Sequence, residues 1–250
     1  MSWIRSVIKE DDPYLSNKEQ APMESPAPKA EDIASIIYTS GTSGTSKGVM
    51  LTHSNLTTNI FQCDKVYPIY QSDTFLSLLP LSHAYECTVG MLYPLYGGCH
   101  VVYLNGIPSP SVLMPARNSV KPTVILSVPL IVEKIYKGKI RPLFTKRLVM
   151  QWIYGIMPIR RVLHRIAGKK LLALFGGRLR FFGIGGAKLD GTVEQFLRDA
   201  KFPYAIGYGL TECSPLIAGA VGKFHKGTTG PTLVDMEMRI DDPGANGIGE

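Results

Sequence analysis

The chain has 250 residues, 45% hydrophobic and 19% charged, the proportions of a globular protein long enough to bury a sizeable core. No window approaches the roughly 18 uninterrupted apolar residues of a transmembrane helix. Charges at Arg5, Lys9, Glu10, Asp11 and Asp12 read against a secretory signal, and four cysteines without CxxC spacing read as free thiols of a reducing, cytoplasmic compartment. The net charge of +7 is unevenly placed: residues 134–180 hold 13 Lys/Arg and no Asp or Glu, leaving 14 against 20 elsewhere, a net −6.

In chain order, residues 1–30 carry Pro13, Pro22, Pro26 and Pro28 and predict an extended, linker-like approach. The β-branched run 33–38 predicts a strand, and 49–51 its return strand across a Gly/Ser/Thr loop. Residues 52–55 supply caps for a helix reaching about residue 66. Strand and helix patterns then alternate. Strands are expected at 74–79, 99–104, 123–127, 179–184 and 204–207. Helices are expected at 84–96, 111–120, 130–137, 149–173 and 190–200. That alternation predicts an α/β fold, a largely parallel sheet covered by helices. Residues 236–240, Met-Glu-Met-Arg-Ile, alternate with period two, as a half-exposed strand of an antiparallel unit would.

The loop at 39–48 packs three glycines, six hydroxyls and Lys47 into ten residues. Small residues let backbone N–H groups converge on an anion, hydroxyls add donors and Lys supplies a point charge, so phosphate is the expected ligand. It is not G-x-x-x-x-G-K-[ST]: counted from Gly41, Ser46 replaces the second glycine and Gly48 the final hydroxyl. Gly183-Ile184-Gly185-Gly186 likewise fails the dinucleotide fingerprint, because Lys188 stands at the third glycine.

Residues 38–48, Tyr-Thr-Ser-Gly-Thr-Ser-Gly-Thr-Ser-Lys-Gly, resemble the signature loop of the acyl-adenylate-forming (AMP-binding) enzymes, with Ser46 at the family's usual proline. Four further segments match in the family's order. Residues 79–86 resemble the segment whose histidine borders the acyl pocket, and 184–187 the turn along adenine. Residues 207–212, Gly-Tyr-Gly-Leu-Thr-Glu, resemble the turn with the adenine-stacking aromatic, a phosphate-binding Thr and a magnesium-binding Glu. Residues 227–231 resemble the glycine-rich approach to the family's β-barrel subdomain. His-Ala-Tyr-Glu and Gly-Gly-Ala-Lys-Leu-Asp are most similar to the long-chain fatty acyl-CoA ligase branch.

The resemblance implies ATP, Mg²⁺ and coenzyme A as reactants and a fatty acid as the acyl donor. Thr39, Ser40, Gly41, Thr42, Ser43, Gly44 and Lys47 would cradle the phosphates. Gly185, Gly186, Ala187, Gly207, Tyr208 and Gly209 would hold adenine. His83, Thr211 and Glu212 would act on the reacting groups, with Thr39 and Glu212 as magnesium ligands. A helix N-terminal acid stabilised by the dipole is the plainer role for Glu212, and an ordinary sheet aromatic the plainer role for Tyr208. His53, His100, His164 and His225 show no metal-ligand spacing.

The resemblance also implies a division of the chain. Residues 31–225 would be the ATP-binding α/β core of the family's large N-terminal domain, with 134–180 a basic helical insert. Residues 226–250 would begin the β subdomain, and the family's C-terminal catalytic domain would be absent, leaving these residues alone inactive. The insert interleaves Lys/Arg with large apolar residues and suits an anionic membrane surface, the inner face of a membrane included. A solvated helical insert explains the same charges more plainly, and nucleic acid or the phosphates of coenzyme A are a third partner for them. Two other functions remain compatible: a non-catalytic nucleotide-binding or membrane-associated module, and adenylation of a different carboxylic acid.

Overall fold

Strands β1 (Ile33–Ser40) and β2 (Ser46–Thr52) form an antiparallel ribbon in which Thr39 faces Lys47. This computed structural model describes residues 27–40, 45–104, 119–145, 148–222, 225–242 and 244, so Gly41, Thr42, Ser43 and Gly44 lie outside the described residues, as does most of the helix expected at 111–120. Helix α1 (His53–Val66) starts where the caps predict. Thr52 Oγ1 accepts from Asn55 N–H at 3.2 Å, and Asn55 Oδ1 accepts from Thr52 N–H at 3.0 Å, satisfying two otherwise orphaned donors.

The main sheet has six strands in the order β4-β3-β5-β6-β7-β8. They are β3 (Thr74–Ser77), β4 (His100–Tyr103), β5 (Val124–Ser127), β6 (Phe181–Ile184), β7 (Tyr204–Gly209) and β8 (Leu216–Val221). Five run parallel and β8 runs antiparallel to β7. Val124, Ile125, Leu126, Phe182 and Ile184 are buried, the continuous apolar run of strands covered on both faces. On one face, α3 (Pro129–Ile135), α6 (Met157–Leu174) and α7 (Gly191–Asp199) contribute Val132, Leu171, Val193, Phe196 and Leu197 to the larger core. On the other, Ile60 and Cys63 of α1 pack with Val89 and Tyr93. Asp190 caps α7 through Thr192 and Val193 N–H.

The helix after β3 is wound as a π-helix over Glu86–Leu92 before α2 (Tyr93–Tyr96). Glu86 lies inside this stretch, fully buried against Gly90, whose added β-carbon would stand 2.6 Å from the carboxyl carbon. Neither carboxyl oxygen has a hydrogen-bond partner among the described residues. Burial pushes its pKa up to about 7, and the nearby Ser77 hydroxyl offsets only part of that.

The insert is helical but divided. A π-helical stretch (Tyr136–Ile140) follows α3, then α4 (Arg141–Thr145), α5 (Leu148–Gly155) and α6. The single helical pattern expected over 149–173 breaks at Ile156, which is extended (ψ 111°). Pro158 is the cause: its ring would collide with the Tyr154 carbonyl in a continuous helix. Buried His164 ties the pieces together. Its Nδ1 lies 3.0 Å from Asp199 Oδ2 and its Nε2 2.7 Å from Tyr154 Oη.

Two further departures from the expected pattern concern strands. Residues 236–240 form no strand. The described residues give them no strand partner, Met238 and Ile240 are exposed, and an isolated strand is not stable. Strand β8 is present without having been expected, because its Leu-Ile-Ala-Gly-Ala-Val sequence carries no alternation.

Candidate active site

Strands β4 and β5 lie on opposite sides of β3. The chain therefore parts beyond the carboxyl ends of β3 and β5, where open α/β sheets bind ligands. A cavity of about 480 Å³ opens there. Leu79, Pro80 and His83 line it from beyond β3, Val128 from beyond β5, and Gly185 and Gly186 from beyond β6. Gly207, Tyr208, Gly209, Leu210 and Thr211 line it from β7 and the turn that follows. Segments following four different strands, from Leu79 to Thr211, thus converge on one space.

Glycine is required here by close approach. A β-carbon on Gly209 would stand 2.0 Å from the Pro215 carbonyl oxygen, which accepts from Leu210 N–H at 2.9 Å. Gly186 adopts φ +84°, the left-handed region that side chains disfavour. Tyr208 lines the cavity and is 44% exposed. Thr211 is half-buried at the start of a 3-10 turn (Thr211–Cys213), and Glu212 is exposed beside it.

Among the predicted site residues, His83, Gly185, Gly186, Gly207, Tyr208, Gly209 and Thr211 line the cavity. Ala187 and Glu212 adjoin lining residues without lining it themselves. Thr39, Ser40 and Lys47 sit on the β1–β2 ribbon, whose β2 packs against the Thr211–Cys213 turn. No group of three His, Cys, Asp or Glu gathers to hold a metal among the described residues. A magnesium ion that takes most of its oxygens from phosphates and water needs few carboxylates, and exposed Glu212 beside Thr211 suits that donor set.

Sequence reasoning missed Tyr85, Val128, Pro215 and Leu216. Tyr85 matters most. A second, apolar cavity of about 60 Å³ lies between the sheet and α1, lined by Cys63, Phe75, Val89, Tyr93 and Leu126 among others. Tyr85, Gly207 and Leu216 line both cavities. Burial raises the Tyr85 phenol pKa, with neighbouring Glu86 adding to it, so the ring stays neutral. Burial, with Asp64 adding, pushes the Cys63 thiol up to about 12, which leaves it an inert wall atom. Tyr85 stands two residues after His83 in a matched segment, and Val128 follows a parallel strand; both signals were present in the sequence. Leu216 gave none.

The family model described as AMP-binding enzyme matches residues 4–249. The chain is 35% identical over 205 residues to long chain acyl-CoA synthetase 7, peroxisomal, of Arabidopsis thaliana, covering 76% of this chain and 29% of that protein. It is 29% identical to long-chain-fatty-acid–CoA ligase 2 of Schizosaccharomyces pombe, covering 92% and 36%. Among solved structures, o-succinylbenzoate coenzyme A synthetase from Bacillus subtilis, in complex with ATP and magnesium ion, superposes with a TM-score of 0.66 at 22% identity, covering 87% of this chain and 39% of that one. ATP-bound MatB from Rhodopseudomonas palustris gives 0.65 at 23% identity, covering 88% and 37%. These structures share the fold. The chain spans about a third of the length of the proteins it matches.

Proposed function

The chain belongs to the AMP-binding enzyme family, and from that premise we propose that it supplies the nucleotide- and acyl-binding part of an ATP-dependent acid–thiol ligase for long-chain fatty acids. One observation carries the reading: a glycine-rimmed cavity of about 480 Å³ adjoins a mainly apolar one, and Tyr85 lines both. The first lies within the roughly 300–1,000 Å³ usual for ligand sites. The second, at about 60 Å³, admits a long chain only if Tyr85 swings aside.

Adenine would stack on Tyr208, bordered by Gly185, Gly186 and Ala187. The triphosphate would run toward Lys47 and the loop residues Thr39, Ser40, Gly41, Thr42, Ser43 and Gly44. The fatty carboxylate would sit near His83 with its alkyl chain directed past Tyr85. A carboxylate oxygen attacks the α-phosphorus, the bond to pyrophosphate breaks, and acyl-adenylate forms. The thiol of coenzyme A then attacks the acyl carbon and AMP leaves. The Thr211 hydroxyl donates to an α-phosphate oxygen as charge builds there, the kind of preorganised donor that lowers such barriers. Glu212 and Thr39 would hold Mg²⁺, which when bound would supply positive charge against the departing pyrophosphate.

The small apolar cavity favours a second reading, adenylation of a shorter or aromatic acid by the same machinery. ATP–pyrophosphate exchange by the protein carrying this chain, run against a panel of carboxylic acids, separates the two. The highest kcat/KM on long-chain fatty acids supports the first reading, and preference for a short or aromatic acid supports the second. Absence of exchange with every acid, while ATP still binds, sinks both and favours a non-catalytic module.

A further inference from the structure

Helix α6 carries two apolar faces. His164, Ala167, Gly168 and Leu171 are buried against the core. At 100° per residue, Ile159, Val162 and Ile166 lie on the opposite side, and they are 38%, 54% and 52% exposed. Amphipathic surface helices of globular proteins present polar side chains there. Arg161, Arg165 and Lys169, spaced four apart, flank this outer ridge on one side, and Lys170 flanks it on the other; all four are exposed. None of the four is ion-paired among the described residues. Just before the Ile156 break, Trp152 is 86% exposed. It stands 200° around α5 from Tyr154, the residue bonded to His164, so it projects away from the core.

We propose that the outer face of α6, with Trp152, docks on an anionic phospholipid bilayer. The charge complementarity is local, since 134–180 holds 13 cations and no acids within a chain otherwise net −6. The ridge selects a bilayer over a nucleic acid: exposed Ile and Val gain nothing from phosphates alone, whereas an interfacial helix buries its apolar face at the acyl boundary and sets its Lys/Arg among anionic headgroups. No helix among the described residues is long and apolar enough to cross a membrane, so the contact is lateral. The inference stands apart from the ligase reading, because it uses no residue of either cavity.

The test is sedimentation of the 250-residue chain with phosphatidylcholine vesicles, with and without phosphatidylglycerol. A Trp3→Phe background lets Trp152 emission report burial. Binding is expected only with phosphatidylglycerol, with a blue shift of Trp152 and release as NaCl is raised. Reversing Arg161, Arg165 and Lys169 to Glu should lower partitioning by about 100-fold. Val162→Gln with Ile166→Gln should lower it to a similar extent, by roughly 100-fold. The salt titration and the emission shift need no variant, so a folding defect in either variant leaves the test intact. Equal binding to neutral vesicles, no vesicle binding, or unchanged partitioning in folded variants overturns the proposal. So does self-association that the ridge variant abolishes, since the ridge would then be an interface between copies.

Discussion

The phenolic oxygen of Tyr85 lies 2.8 Å from the position a β-carbon on Gly183 would take. That ring therefore rests on bare backbone at β6, and its place between the two cavities depends on Gly183 having no side chain. Leu126 Cδ2 and Phe181 Cε1 stand 3.0 Å from the same point, so a methyl group there has no free direction. Gly183→Ala is expected to destabilise the fold by about 1–3 kcal/mol through overpacking and to push Tyr85 off its seat. In an exchange assay with graded fatty acids the variant should shift chain-length preference. Tyr85→Leu in the same background should restore stability. A variant with wild-type melting and wild-type preference would show that the contact is slack.

Glu86 gives stability an unusual pH dependence. Its pKa is raised from the ordinary 4.5 to about 7 in the folded chain. Above pH 4.5 the unfolded carboxyl ionises while the buried one stays protonated, so stability falls as pH rises toward 7 and levels off beyond it. Glu86→Gln removes that slope. Denaturant titrations at pH 5 and pH 8 should show the variant gaining about 3 kcal/mol on the wild type between those values. Parallel curves would mean that the carboxyl is solvated in solution.

The opposite end of the sheet depends on Asp73, which is 3% exposed. It accepts from Arg180 Nε at 2.6 Å, from Thr123 Oγ1 at 2.7 Å and from Tyr70 N–H at 2.8 Å. Burial opposes ionisation, but these bonds prevail and hold the pKa below the usual carboxylate value. The stabilisation is therefore complete above the unfolded pKa, near 4, and is lost as pH falls through the folded one. Asp73→Asn should cost about 2 kcal/mol at pH 7, lowering the melting temperature by about 4–8 °C. That deficit should shrink in acid, and a deficit independent of pH would assign the effect to shape.

Tyr208 offers a test confined to the nucleotide. Stacking on an open aromatic face is worth about 1–3 kcal/mol per base, so Tyr208→Ala should weaken ATP binding roughly 10- to 100-fold. Tyr208→Phe should leave it unchanged. Thr211→Ala is expected to lower the exchange rate by about 10²-fold with a smaller effect on ATP affinity. A fluorescent ATP analogue and the exchange assay read the two quantities separately.

Local patterns in the sequence were enough for the β1–β2 ribbon, the helix caps at 52–55, strands β3 to β7 and the helix after residue 190, because each rests on residues within a few positions of one another. The 184–187 turn and the Gly-Tyr-Gly-Leu-Thr-Glu segment were legible as short contiguous motifs through their family resemblance, and the structure adds a reason for one glycine, the close approach of Gly209 to Pro215. Tertiary structure decided what depends on distant partners. The Asp73–Arg180 clamp joins residues 107 positions apart, and no local pattern announces it. Strand β8 exists because β7 offers it an edge, while residues 236–240 alternate correctly and find none. Glu86 reads as a surface residue by type and is buried by a π-wound turn. The basic insert follows the same division. Its charge is written in the sequence. Only packing of His164 and Leu171 into the core determined that Ile159, Val162 and Ile166 face outward, because a helix can bury one side and leaves the other to its surroundings.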